Sequence, residues 1–170
     1  MLEAIRNEIG KSNRERIIEN KKYLVAYFSH GGHAKSIAER VATFMGGDLF
    51  EIRPKEDYPR FFPFCVKKAI GEKRADVRPE ILGHVENMED YTDVVLGYPC
   101  WCGTCPQIIL TFLEQYDFSG KTIHLFNTHR GSGSKGTEDI RRVVNGGIVE
   151  KSIPAEELKK DDKIGSWLIV

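Results

Sequence analysis

Two kinds of apolar pattern alternate along the chain. The runs 23–28, 94–98 and 122–126 are apolar at nearly every position. They read as strands buried on both faces, as a parallel sheet requires. Between them, apolar residues recur at helical spacing. Ile37, Val41 and Phe44, with Ala38, Ala42 and Met45 beside them, predict a helix that Gly46 and Gly47 end. A second strand is expected over 49–52, closed by Pro54, and a helix over 61–74 after Pro59. Positions 75–92 are irregular, interrupted by Pro79 and Gly83, and read as a long connection. Ile109, Phe112, Leu113 and Tyr116 mark a further helix opened by Pro106 in its first turn, and 117–120 a turn. A helix over 137–144 turns Ile140, Val143 and Val144 inward, Gly146 and Gly147 lead into a fifth strand over 148–151, and a last helix spans 161–170 with Trp167 and Leu168 inward. Strands alternating with helices, without internal repeats, predict an α/β fold with a doubly wound, five-stranded parallel sheet.

The length of 170 residues suits one domain, expected over 22–170, with an N-terminal extension over 1–21. The extension is expected to be helical, and its spaced isoleucines (Ile5, Ile9, Ile17, Ile18) suit packing on the domain or on a second subunit. The charges balance, 25 basic against 25 acidic, so no whole-molecule field draws in nucleic acid or an anionic membrane. There is neither the apolar core of a signal peptide nor a run of eighteen apolar residues, and a soluble, cytoplasmic protein is expected. Its four cysteines, Cys65, Cys100, Cys102 and Cys105, are then thiols by default.

Three loops follow apolar strands and share a character: Ser29-His30-Gly31-Gly32-His33-Ala34-Lys35, Pro99-Cys100-Trp101-Cys102-Gly103-Thr104 and Thr128-His129-Arg130-Gly131-Ser132-Gly133. In open α/β sheets ligands bind at the carboxyl ends of strands, so three such loops on one edge make a site. In the first, a glycine turn entering a helix gathers free backbone N–H groups and the positive end of a helix dipole, which suits phosphate. The alternative is a plain turn using glycine for its backbone freedom. Trp101, in a loop rather than a strand, can stack on a planar heterocycle. Amides of Gly131, Ser132 and Gly133 can bond the ring's heteroatoms, or the loop is simply flexible with His129 and Arg130 solvated.

The cysteines leave three readings open. Cys102 and Cys105 have redox-dithiol spacing, and Cys105 precedes Pro106 at a helix N-terminus, where the dipole favours a thiolate. Cys100 extends the run toward a soft-metal site, but Cys65, the fourth possible ligand, is distant in sequence. Ordinary thiols lining a loop is the third.

These residues carry a family resemblance. Tyr27-Phe28-Ser29-x-Gly31-Gly32, Gly47-Asp48-Leu49-Phe50-Glu51-Ile52, Tyr58-Pro59, Arg78-Pro79-Glu80 and Leu96-Gly97-Tyr98-Pro99-x-Trp101 resemble the flavodoxin family. So do Thr111-Phe112-Leu113-Glu114, Tyr116-Asp117-Phe118-Ser119-Gly120-Lys121-Thr122 and Thr128-His129-x-Gly131-Ser132-Gly133. The similarity is to its short, single-domain bacterial branch and spans 22–170. It implies strand order 2-1-3-4-5 and FMN at the switch point between the first and third strands. It further implies that the first loop holds the ribityl phosphate while the second and third flank the isoalloxazine. The chain departs from the pattern where the family has hydroxyl residues, at Gly31 and Ala34, and where it has asparagine, at His33. His30, His33 and Lys35 can compensate with positive charge. A second tryptophan common in this branch is replaced by Cys102.

The resemblance implies an FMN-binding redox protein that passes electrons to a partner protein or small acceptor, with no residue acting as acid, base or nucleophile. Carriers of the family are acidic and dock basic partners, whereas this chain is neutral. That motivates an alternative, an FMN-dependent NAD(P)H:quinone-type reductase. The altered first loop and added cysteines motivate another, a flavin-free binding or thiol-redox module using Cys100, Cys102 and Cys105.

Overall fold

The computed structural model describes residues 20–131 and 133–169. The extension expected to be helical over 1–21 lies outside them as far as position 19. Strands β1 (Tyr23–Tyr27), β2 (Asp48–Glu51), β5 (Asp93–Pro99), β6 (Thr122–Thr128) and β7 (Ile148–Val149) form a parallel sheet in the order β2-β1-β5-β6-β7. This is the expected 2-1-3-4-5 winding. The fifth position is shared: β7 pairs with the start of β6, and β8 (Ile153–Pro154) pairs in parallel with its far end. The strand expected over 148–151 therefore stops at Val149. Glu150 still donates its N–H to the Ile123 carbonyl at 3.0 Å, then turns its side chain to a histidine described below.

Helices α1 (His33–Met45) and α5 (Asp161–Leu168) cover one face. Helices α2 (Phe62–Arg74), α3 (Gln107–Glu114) and α4 (Thr137–Val143) cover the other. The alternation within β1 divides the two cores: Leu24 and Ala26 join the second, Tyr23, Val25 and Tyr27 the first. Two further expectations need correction. Pro106 stands just before α3 in an extended conformation, not inside its first turn. The stretch 75–92 is not merely a connection. Its β4 (Ile81–Leu82) pairs antiparallel with β3 (Arg53–Pro54), and Met88–Asp90 form a 3-10 turn. Pro54 thus does not simply close β2 but belongs to this small second sheet, where a two-residue edge strand tolerates a proline.

Gly97 of β5 lies in register with Phe126 of β6, whose ring covers it; an added Cβ would collide with Phe126 Cζ. Both positions are in the core of the sheet, so the ring cannot swing aside. Gly97→Ala is expected to cost about 1–3 kcal/mol or more by overpacking, read as a lowered denaturant midpoint with an unchanged slope.

At the amino ends of the central strands sits a buried polar cluster. His124 of β6 has Nε2 2.8 Å from Asp93 Oδ1 and Nδ1 2.8 Å from Glu150 Oε2. Lys21 Nζ donates to the same Asp93 oxygen at 3.0 Å. Burial pushes the Asp93 carboxyl up, but hydrogen bonds from His124, Lys21 and Thr92 outweigh it and hold the group below its ordinary value. No helix of the described residues is long and apolar enough to cross a membrane.

Candidate functional site

The carboxyl ends of β1, β5 and β6 are adjacent, and the loops leaving them meet around a cavity of about 590 Å³. From the first loop Ser29, His30, Gly31, His33 and Ala34 line it; from the second, Pro99, Cys100, Trp101 and Cys102; from the third, Thr128, His129 and Arg130. The remaining expected residues stand aside. Gly32 occupies the position before α1 with φ 85°, a turn that only glycine makes without strain, and thereby aims the helix. Lys35 is exposed and lies 4.0 Å from Glu39 one turn on. Gly103 forms the tip of a turn, and Thr104 is buried with its hydroxyl bonded to Asp139 of α4. Gly131 and Gly133 do not line the cavity, and Ser132 lies outside the described residues.

No side chain caps α1, and the first backward hydrogen bond runs from Ser36 N–H to the Gly32 carbonyl. The amides of its first turn are therefore free at the cavity wall, together with the positive end of a thirteen-residue helix. Trp101 is held upright by edge contacts to Tyr58, Phe28 and His30 at ring separations of 5.0, 5.4 and 5.6 Å. Those contacts fix the indole at the cavity wall. Both ring nitrogens of His129 are shielded from solvent and have no hydrogen-bond partner in the protein. Such a group costs roughly 1–3 kcal/mol unless something else satisfies it.

A fourth wall was not expected from the sequence. Arg60, with Phe62, Cys65, Val66 and Ala69 of α2, closes the cavity, and Glu156 completes the lining. The sequence signal for α2 was its aromatic density beside Arg60, more than an amphipathic helix needs for its buried face.

A profile of the flavodoxin family matches residues 22–168. The chain belongs to the flavodoxin family. A candidate flavoprotein from Bacteroides eggerthii is 30% identical with a TM-score of 0.80, over 88% of this chain and 96% of its own. A second, from Bacteroides uniformis, is 26% identical with a TM-score of 0.73, over 87% and 97%. A flavoprotein from Lactobacillus acidophilus, solved in complex with FMN, shares the fold at 21% identity and a TM-score of 0.72, over 86% and 98%. No curated protein matches the chain.

Cys102 and Cys105, whose spacing suggested a redox pair, are free thiols in unlike surroundings, one exposed and one buried. Cys102 and Gly103 both have positive φ, 51° and 77°, and Trp101 and Thr104 exchange backbone hydrogen bonds of 2.8 and 3.0 Å across them. This is a two-residue hairpin turn that presents Cys102 to solvent. Cys105 follows it but is 1% exposed, and burial pushes its thiol up to about 12. The helix dipole does not win: Cys105 is kept protonated, not poised as a thiolate. Nor, among the described residues, do three or more histidine, cysteine or acidic side chains gather to hold a metal. The thiols that line the cavity are Cys65, Cys100 and Cys102.

Proposed function

We propose that this flavodoxin binds FMN in the cavity and works as an electron carrier between redox partners. One observation carries the reading. The uncapped start of α1, the Trp101 turn and the His129 loop face a single cavity at the carboxyl ends of three adjacent parallel strands. The donor set suits a phosphate ester joined to a planar ring. The amides of Gly31, His33 and Ala34 and the Ser29 hydroxyl would hold the phosphate. Trp101, Phe62 and Val66 offer apolar surface to the ring, and the third loop brings Thr128, His129 and Arg130 to the same wall. Bound FMN supplies reversible redox chemistry, while the protein's own groups supply position and local field. The hydroxyls missing at Gly31 and Ala34 fall on the cavity wall itself, so the phosphate is held chiefly by main-chain amides.

The neutral overall charge favours the reductase alternative enough to test it. Purified, FMN-loaded protein is expected not to sustain NADH or NADPH oxidation with a benzoquinone in a spectrophotometric assay. After reduction by dithionite it is expected to pass electrons to an acceptor. Steady turnover without a second reductase would replace the carrier reading with the enzymatic one.

A further inference from the structure

Beside the cavity mouth the chain exposes an apolar surface that its own core does not use. Phe61, Phe62 and Phe64 are 65%, 68% and 59% exposed, and the rings of Phe61 and Phe64 lie 5.5 Å apart. Pro63 between them is exposed as well. Isolated exposed apolar residues are ordinary, but a contiguous aromatic group marks a place where something binds.

The charges near it are mostly positive. Over 53–71 the sequence holds five cations against two carboxylates, Glu56 and Asp57. The cavity mouth adds Arg130, with Glu156 the one carboxylate in its lining. Some surface cations are paired, as in Arg40 with Asp161, Arg78 with Glu114, Arg141 with Glu138 and, within this stretch, Lys55 with Glu80. Arg60, Lys67 and Arg130 pair with no carboxylate of the described residues. In a neutral protein, cations outnumber carboxylates beside the aromatic centre and the site where electrons would leave, and Arg60, Lys67 and Arg130 are free to meet a partner's carboxylates.

We infer that the N-terminal half of α2 is the docking surface for a redox protein whose own face carries carboxylates around an apolar centre. The inference rests on the carrier reading and specifies its partner. Aromatic anchors framed by arginine are what energetically dominant interface centres are made of. The unpaired cations would steer an acidic partner and repel a basic one. Phe62 belongs both to the patch and to the cavity lining, so a partner seated there lies against the site.

Two measurements test it. In the first, dithionite-reduced, FMN-loaded protein is oxidised by ferricyanide, which takes one electron to become ferrocyanide, or by hexaamminecobalt(III). The ferricyanide rate is expected to fall roughly tenfold between about 20 and about 300 mM NaCl, and the cobalt rate to rise. In R60E/K67E both slopes shrink or reverse. The second needs no flavin: fluorescein-labelled poly-L-glutamate is titrated into flavin-free protein and followed by anisotropy. Binding at low salt is expected, weakened roughly tenfold or more in R60E/K67E. Equal binding by the double variant, displacement by NADPH at low micromolar concentration, or salt slopes of opposite sign would overturn the docking surface. Poly-glutamate binding through α2 by a protein that takes no FMN would keep the docking surface and remove the carrier reading.

Discussion

Replacing Ser29 by leucine and Gly32 by valine together is expected to weaken FMN binding by roughly a thousandfold while leaving the fold intact. The hydroxyl at position 29 is one side-chain donor at the first loop, and a hydrogen bond to a charged group contributes about 1.5–3 kcal/mol. Gly32 acts differently. An added Cβ there meets nothing within 4 Å, so crowding is not the cost. The cost is backbone: φ is 85°, and a β-branched residue held there is strained by about 1–3 kcal/mol. The turn relaxes instead and swings the amides of α1 away from the phosphate. Together the two losses amount to roughly a thousandfold in affinity. Quenching of free FMN fluorescence measures it, with far-UV circular dichroism as the control for fold; affinity within tenfold of the unaltered protein would refute the placement. The converse change has the opposite sign. Gly31 has no positive φ, and an added Cβ would meet only the His33 ring at an ordinary 3.7 Å. Gly31→Ser therefore restores a hydroxyl at little steric cost and is expected to tighten binding by about ten- to a hundredfold.

The second large effect concerns stability and lies at the opposite, amino ends of the central strands. Asp93→Ala removes the acceptor shared by Lys21 and His124, and His124 is 3% exposed. Removing one partner of a buried ionic cluster leaves the others uncompensated, at about 3–5 kcal/mol. For a domain of this size that lowers Tm by about 10 °C or more. Glu150→Gln, whose side chain is 43% exposed, is expected to cost under about 1 kcal/mol. The pH dependence has a definite sign. The Asp93 carboxyl is held below its ordinary value, so the unfolded chain binds its proton more readily. Its contribution to stability is present above about pH 4 and is lost as pH falls through the folded value. Asp93→Ala should flatten that acid limb; an unchanged limb would show that the cluster does not supply it.

The winding of the sheet was legible in the sequence because its central strands are buried on both faces, and burial on both faces leaves an unbroken apolar run. The three loops were legible for a related reason: glycine, tryptophan and histidine stand out where such runs end. What escaped was set by contacts between distant segments. Only two residues of β4 pair with β3, too few to leave a period in 75–92. The fifth strand divides because Glu150 turns to His124, a partner 26 positions away. Proximity to Pro106 placed Cys105 at a helix start, but packing of the helices against β5 put it in the core, and burial outweighs the dipole. Thr104 turns from the cavity for the sake of Asp139, 35 residues on. The orientation of α2 over the cavity depends on tertiary packing too. Glu72, buried on that helix, accepts a hydrogen bond of 2.7 Å from the Tyr58 hydroxyl and ties α2 to the aromatic cluster around Trp101.

The central claim is that the start of α1 holds a phosphate while the other loops receive a ring. Titrating the flavin-free protein with FMN and, separately, with riboflavin tests it most directly, because the two ligands share the ring and differ in the phosphate. One FMN is expected to bind per chain, with riboflavin weaker by roughly a hundredfold or more. Equal affinities, or no binding of either flavin, would contradict the account.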